Sequence, residues 1–475
     1  MGLQVESTSP PFKPPWQISP QHWTNGRKFF PKTLKNRPRP VARTGVGLYT
    51  SSPFVHRSSA IGWSDATHSL LTQSPRTMSL FSAVEMAPRD PILGLNEAFN
   101  ADTRTTKVNL GVGVYCNEEG KIPLLRAVAE AEAIRVAQHA ARGYLPIDGI
   151  AAYDKAVQTL LFGAESPLLE ASRVVTVQAV GGTGALKIGA DFLKQLLPDA
   201  VVAISDPSWE NHRALFETAG FPVQNYRYYD AATHDVNRAG LLEDLNALPP
   251  QSIVVLHACC HNPTGVDLSP TDWQNVLDVV KAKNLVPFLD MAYQGFGDGI
   301  HEDAAAVRLF AESGLTFFVS SSFSKSFSLY GERVGALSIV SESKEESARI
   351  LSQVKRVIRT NYSNPPTHGA AIVAAVLNNP ELRAQWEAEL AEMRLRIRGM
   401  REQMVAELAK AAPDHDFSFV GRQRGMFSYS GLTVEQVTRL RSEFGIYALD
   451  TGRICVAALN QSNIGAVTKA IVQVL

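Results

Sequence analysis

Long hydrophobic runs are missing from this 475-residue chain: it has no stretch of 18 or more apolar residues, so no membrane-spanning helix is expected. Net charge is missing too. The 46 basic and 46 acidic residues cancel, which removes any global argument for a nucleic acid or an anionic membrane as partner. Cysteine is scarce. Cys116, Cys259, Cys260 and Cys455 show no paired metal-ligand spacing and two are adjacent, so the reading is free thiols in a reducing compartment, the cytoplasm, and no metal. There is no internal repeat. What is present is ordinary for a globular protein: 45% hydrophobic and 19% charged residues, in a chain long enough for two or three domains with real cores.

Residues 1–77 differ from the rest. They hold two acidic residues, Glu6 and Asp65, against ten Lys or Arg, and they hold ten of the 27 prolines. Apolar residues there follow no sustained period, so the segment buries too little to offset its chain entropy and reads as disordered. An acid-poor targeting leader is one reading, but prolines this dense break an amphipathic targeting helix. Glu6 stands where a myristoylation pattern needs Ser or Thr. The preferred reading takes Met78 as the working start and what precedes it as an extension. As a basic tail it offers nucleic acid at most salt-sensitive, non-specific affinity.

From about Ser172 short apolar runs alternate with helical patterns. Strands are expected at 174–180, 201–205, 253–256, 285–289 and 315–319, with helices at 181–196, 210–219, 272–283 and 304–311. Strands spaced by helices mean a mostly parallel sheet covered on both faces. Residues 342–412 read as helix, interrupted at Asn364-Pro365-Pro366 and at Asn379-Pro380. The remaining residues alternate short strands and helices. The expected organisation is the extension over 1–77, an arm and part of the small domain over 78–123, a large α/β domain over 124–392 and a small α+β domain over 393–475.

Open α/β sheets bind ligands beyond the carboxyl ends of their strands. Here five consecutive strands are followed by polar residues that one pocket could collect, at 181–184, 206–212, 260–265, 290–293 and 320–325. The loop Gly181-Gly182-Thr183-Gly184 precedes a helix, so its N–H groups and the helix dipole suit a phosphate. It is neither a dinucleotide fingerprint, because Lys187 stands where the third glycine belongs, nor a P-loop. Alone it reads as a strand-to-helix turn. Asp290, after the apolar run 285–289, is costly to bury unless a cation needs it, and a turn cap is an equal reading. Asn262 and Tyr293, taken singly, read as a turn residue and a half-buried tyrosine.

Lys325 is the sharpest signal. Most lysines are solvated, but this one is flanked by Phe323, Phe327 and Leu329 and by the small hydroxyls of Ser322 and Ser324. A desolvated lysine near other cations has a lowered amine pKa and can attack a carbonyl to form an imine. Ser322, Ser324 and Arg333 can donate to phosphate oxygens. A lysine for an imine, a carboxylate for a protonated ring nitrogen and a phosphate cup together describe what pyridoxal 5'-phosphate requires.

These residues sit in longer strings. HNPTG at 261–265, DMAYQGF at 290–296, SFSKSFSLYGERVG at 322–335 and RTNYSNPP at 359–366 resemble the class I, fold-type I aminotransferases, and more closely their bacterial aromatic-amino-acid and aspartate members. DPILGL at 90–95, NLGVGVY at 109–115, YLPIDG at 144–149, DPSWENH at 206–212 and GRICVAALN at 452–460 fit the same pattern. The likeness runs from about Phe81 to Leu475 and leaves residues 1–77 without a counterpart.

The resemblance implies a large domain built on a mostly parallel seven-stranded sheet flanked by helices, a smaller α+β domain, and a homodimer with shared active sites. It implies pyridoxal 5'-phosphate as cofactor, with Lys325 forming the imine and then moving the proton between substrate and cofactor. Asp290 would keep the ring nitrogen protonated, and Asn262 and Tyr293 would bond the ring hydroxyl oxygen. Gly182, Thr183, Ser322, Ser324 and Arg333 would cradle the phosphate, joined by the partner subunit's Tyr144. Trp209 would lie over the ring and His212 would support Asp290. On the substrate side, Arg453 would clamp the α-carboxylate as a planar fork, Gly113 would add a backbone contact, and Trp209 and Asn262 would line the pocket. The partner subunit's Arg359 would pair a distal carboxylate.

The implied reaction is ping-pong: an amino acid gives up its amine and leaves as a 2-oxo acid, and a second 2-oxo acid, 2-oxoglutarate, takes the amine back. Ser326-Phe327-Ser328 and Gly331 look more like the aromatic branch. The expectation is therefore a tyrosine and phenylalanine aminotransferase that also accepts aspartate, with an aspartate aminotransferase as the alternative. A β-lyase or decarboxylase on the same fold is disfavoured by the pair Arg453 and Arg359. A non-enzymatic binding protein is disfavoured by Lys325, Asp290, Tyr293, Asn262 and Arg453 standing together.

Overall fold

The computed structural model describes residues 79–87 and 90–475. The expected disorder over 1–77 and the expected start at Met78 lie outside the described residues. Residues 79–84 make a turn in which Ser82 N–H donates to Ser79 O at 2.9 Å. Residues 85–475 form a separate unit.

That unit is organised by seven strands: β1 Val174–Val180, β2 Val202–Asp206, β3 Val223–Arg227, β4 Ile253–His257, β5 Val286–Met291, β6 Phe317–Ser322 and β7 Val334–Val340. They lie side by side in the order β1-β7-β6-β5-β4-β2-β3. Every neighbour is parallel except β7, which runs antiparallel to both β1 and β6. Strands β4 and β6 are buried along their whole length, which is why they read as unbroken apolar or small-residue runs rather than as alternating ones.

Two of these strands carry no pattern that the sequence reading assigned. β3 is an edge strand and buries only Tyr226, so it has no apolar run to see. In β7 the apolar run is diluted by Gly335 and Ser338, although all seven residues are buried. Gly335 is required by close approach: a Cβ there would lie 2.3 Å from the carbonyl carbon of Gly181.

Helix α1 Gly181–Leu196 leaves β1 without a loop and lies against the sheet. Gly189 lets it come close, because a Cβ there would meet the ring of Phe288 at 2.6 Å. Helix α2 is Glu210–Thr218. Helix α3, Lys344–Asn361, starts at Ser343, whose side chain accepts from Glu346 N–H, with Glu345 and Glu346 at the positive end of the dipole and Arg359 in the last turn. Helix α4 runs unbroken over 32 residues, Pro380–Ala411, capped by Asn379 with proline at its first position. The expected 392/393 domain boundary falls inside it.

The arm is tied to the C-terminal residues. Val108–Asn109 pairs in parallel with Ile446–Tyr447, and Cys455 N–H donates to Leu110 O at 2.8 Å. Nearby, Phe427–Tyr429 pairs antiparallel with Arg453–Cys455. Among the described residues no helix is long and apolar enough to cross a membrane.

Candidate active site

Strands β4, β5 and β6 end next to one another, and their register sets His257 opposite Asp290 and Asp290 opposite Ser320. Paired residues on adjacent strands project from the same face. Strand β5 continues through Met291, so Asp290 lies within the strand and not just past its end. The turn-cap reading is thereby corrected: the buried carboxylate accepts from Ser320 Oγ at 2.6 Å and from His212 Nε2 at 3.1 Å. His212 stands on α2 and is oriented by a 2.9 Å bond between its Nδ1 and Ser208 Oγ. Burial pushes the Asp290 pKa up. The hydrogen bond from His212, the imidazoles of His212 and His257 and the Ser320 hydroxyl outweigh that, leaving it below the usual carboxylate value.

Lys325 follows β6 in a turn walled by buried Phe323 and Phe327. Its Nζ is 4.9 Å from the ring centre of Tyr293. Loss of water pulls the amine down to about 8, with Asp290 opposing and Arg333 adding to the shift. The same loss of water drives the Tyr293 hydroxyl up, so it stays a donor.

Beside the lysine, free N–H groups of α1 meet hydroxyls and a guanidinium. Gly182 and Thr183 occupy the first turn of α1, which contains no acidic residue. A Cβ on Gly182 would sit 3.1 Å from Ser322 Cβ, and one on Gly181 only 2.5 Å from Arg333 Nη2. Arg333 donates through Nη1 to Tyr330 O at 3.0 Å. Ser322 and Ser324 complete the group. N–H groups, hydroxyls and an arginine without a carboxylate among them suit an anion such as phosphate.

Arg453 is 1% exposed. It donates through Nη1 to Asn262 Oδ1 at 3.0 Å and through Nη2 to Gly111 O at 2.7 Å, and its guanidinium lies 4.2 Å over the ring of Phe427. Its Nε has no partner. Burial lowers its pKa, with Glu210 opposing. A buried arginine with unused donors is built to receive an acceptor.

Lys325, Asp290, Tyr293, Arg453, Asn262 and the anion cradle of Gly182, Thr183, Ser322, Ser324 and Arg333 surround one cavity of about 260 Å³, which Gly113 and Trp209 also line. Trp209 meets the His212 ring edge-on at 5.2 Å. Three expected residues do not line it. His212 stands behind Asp290, which it bonds. Tyr144 is 96% exposed, and Arg359 is exposed at the end of α3, where it bonds Ser363 Oγ; neither lines the cavity of its own chain. Six cavity residues were not singled out in the sequence: Ile92, Leu186, His257, Ala292, Tyr330 and Phe427. Tyr330 OH accepts from Tyr115 N–H at 2.9 Å. His257 had a signal, since it ends the apolar run of β4, but the run reads equally well as ending at Leu256.

The family model for aminotransferase class I and II matches residues 105–471. An aspartate aminotransferase of Pseudomonas aeruginosa is 80% identical over 398 residues, covering 84% of this chain and all of that protein. The aromatic-amino-acid aminotransferase of Escherichia coli is 53% identical over 397 residues, covering 83% of this chain and all of its own. Among solved structures, the Burkholderia pseudomallei aromatic-amino-acid aminotransferase, covalently bound to pyridoxal phosphate, is 72% identical with a TM-score of 0.82, covering 84% of this chain and all of that one.

Proposed function

We propose, since this chain belongs to the class I and II aminotransferases, that its amino donors are tyrosine, phenylalanine and aspartate and that 2-oxoglutarate is the acceptor. It is a pyridoxal-phosphate-dependent aminotransferase. When bound, pyridoxal phosphate supplies an aldehyde to take up the amine and a ring that spreads negative charge from the α-carbon. The residues present suit that group: a glycine-lined anion cradle too tight for a Cβ, a buried carboxylate held ionised, and a desolvated lysine.

The convergence of Lys325, Asp290 and Arg453 on one cavity carries this reading. Lys325, brought down to about 8, is poised to take and return a proton near neutral pH, at the α-carbon of a substrate held beside it. Asp290 faces the cavity as an anion and holds a proton on a ring nitrogen placed against it. Asn262 spends its Oδ1 on Arg453, which leaves its Nδ2 free to donate, with Tyr293, to a ring hydroxyl oxygen. Gly182, Thr183, Ser322, Ser324 and Arg333 would hold the phosphate, and Trp209 would cover the ring. Arg453 offers its remaining donors to the α-carboxylate, beside Gly113. The exposed positions of Tyr144 and Arg359 support their serving the site of a second copy, so the assembly is a homodimer with shared sites. The four free cysteines suit the cytoplasm.

A second reading takes aspartate as the one physiological donor, favoured by the name of the relative that is 80% identical. The half-reaction separates the two. The loaded protein is given phenylalanine alone or aspartate alone, and the cofactor's absorbance is followed. Conversion by both supports the broader reading, conversion by aspartate only replaces it with the narrower one, and conversion by neither refutes both.

A further inference from the structure

Three histidines lie in a row at the cavity wall, their rings tilted to one another: His212 to His257 at 5.0 Å between ring centres and His257 to His261 at 4.3 Å. Two have their nitrogens engaged. His212 holds Ser208 and Asp290, and His261 holds Ser205 Oγ at 3.0 Å and Thr264 Oγ1 at 2.8 Å. The middle one does not. His257 is 8% exposed, lines the cavity, and has no hydrogen-bond partner on either Nδ1 or Nε2. Buried imidazoles normally find partners.

One ring nitrogen of His212, one of His257 and a carboxylate oxygen of Asp290 lie within 4.8 Å of one another. We propose that His212, His257 and Asp290 form a binding site for a divalent transition metal, Zn²⁺ in particular, and that the metal and the cofactor exclude each other. The proposal rests on the reading of Asp290 as the residue that faces the cofactor ring.

Two neutral imidazoles and a carboxylate are a donor set that zinc favours, and a tetrahedral ion keeps its fourth position toward the cavity. Tetrahedral zinc ligands stand ~3.3 Å apart for bonds of about 2.0–2.1 Å. His212 Nε2 and Asp290 Oδ2, at 3.1 Å, already have that spacing. His257 must close the remainder, and no hydrogen bond holds its ring back. The Ser208 bond to Nδ1 orients the His212 ring from behind, as an outer partner orients a metal ligand. Among the described residues no Lys or Arg forms an ion pair with Asp290. Binding through Nε2 takes the His212 tautomer with its proton on Nδ1, so the proton that faced Asp290 ends on Nδ1, where Ser208 Oγ accepts it, and the imidazole stays neutral. A second cluster, Cys259, Cys260 and Asp303, is a weaker candidate. The Asp303 carboxylate is taken by the N–H groups of Gly295, Gly297, Asp298 and Gly299, and both thiols are pushed up in pKa.

The test titrates ZnCl₂ by calorimetry into the full chain, stripped of cofactor and then loaded with pyridoxal phosphate, and follows cofactor uptake by absorbance at fixed free Zn²⁺. The expected result is one zinc per stripped chain, none at that affinity in the loaded chain, and uptake slowed about elevenfold at free Zn²⁺ ten times its dissociation constant. His257→Phe should weaken zinc at least tenfold while still taking up cofactor in zinc-free buffer. Equal zinc binding by loaded and stripped protein, uptake indifferent to zinc, or zinc binding unchanged in His257→Phe would each overturn the proposal. If His257→Phe does not fold, competition in the unaltered chain decides, with a Cys259→Ser, Cys260→Ser double variant beside it: zinc binding lost there overturns the proposal, and zinc binding kept supports it. Failure of the unaltered chain to take up pyridoxal phosphate without zinc would refute the cofactor reading instead, a separate outcome.

Discussion

Replacing Arg453 by lysine keeps the charge and removes the fork. The guanidinium has five N–H donors. Two are committed, to Asn262 Oδ1 at 3.0 Å and Gly111 O at 2.7 Å, and Nε is among those left for a carboxylate. An ammonium has three donors from one point, so if it keeps the two protein acceptors it reaches a carboxylate with one bond at most. The variant therefore loses about one charge-assisted hydrogen bond to substrate, roughly 1.5–3 kcal/mol, or about 10- to 150-fold in kcat/KM. Every amino acid carries the α-carboxylate, so the loss should be the same for aspartate and phenylalanine. The assay is kcat/KM for each donor at saturating 2-oxoglutarate. A loss below about threefold for both, or a loss confined to aspartate, would refute the assignment of Arg453 to the α-carboxylate.

Other outcomes follow from the same geometry. Arg359→Leu should lower kcat/KM for aspartate by about 1.5–3 kcal/mol and leave phenylalanine within about threefold, since only aspartate has a distal carboxylate; equal losses would contradict that role. Mixing equal amounts of Lys325→Ala and Arg359→Leu chains should restore about a quarter of wild-type aspartate activity, because half the dimers are mixed and each holds one intact site; no recovery after verified exchange of chains would sink the shared site. Lys325 titrates at about 8 when folded and near 10.5 when unfolded, so between those values the unfolded chain binds more protons and stability rises with pH. Without cofactor, Lys325→Met should thus be more stable than wild type at pH 7, by at most about 3 kcal/mol because the amine meets cavity water, and the margin should shrink towards pH 10. A pH-independent margin in denaturant melts would contradict the shift. His212→Phe removes a hydrogen bond to a buried carboxylate and should cost about 1.5–3 kcal/mol in kcat/KM while shifting its pH profile, and an unmoved profile would reduce His212 to packing.

Much of the fold could be read ahead of the structure because β4, β5 and β6 are covered on both faces and so appear as short apolar or small-residue runs between helical patterns. β3 escaped because an edge strand that buries only Tyr226 has no such run. β7 escaped because glycine and serine interrupt it. The site was legible as strand-end chemistry: Gly182, Asn262, Asp290 and Lys325 each follow or close a strand and meet at one cavity. Their roles came from the family resemblance, since a lone carboxylate after an apolar run reads equally well as a cap. His257 was not legible as a neighbour of Asp290. That adjacency depends on which strands lie side by side and in what register, and a linear pattern carries neither. Phe427 under Arg453 was hidden likewise, because it takes an antiparallel pair in the C-terminal region to bring it there.

Holding pyridoxal phosphate is the role proposed for Lys325. Reduction of the loaded protein with borohydride, digestion and mass spectrometry reads this directly. The expected result is a single phosphopyridoxyl label on the peptide that contains Lys325, and no label when Lys325→Ala is treated in the same way. A label on another lysine, or one that survives the substitution, would contradict it.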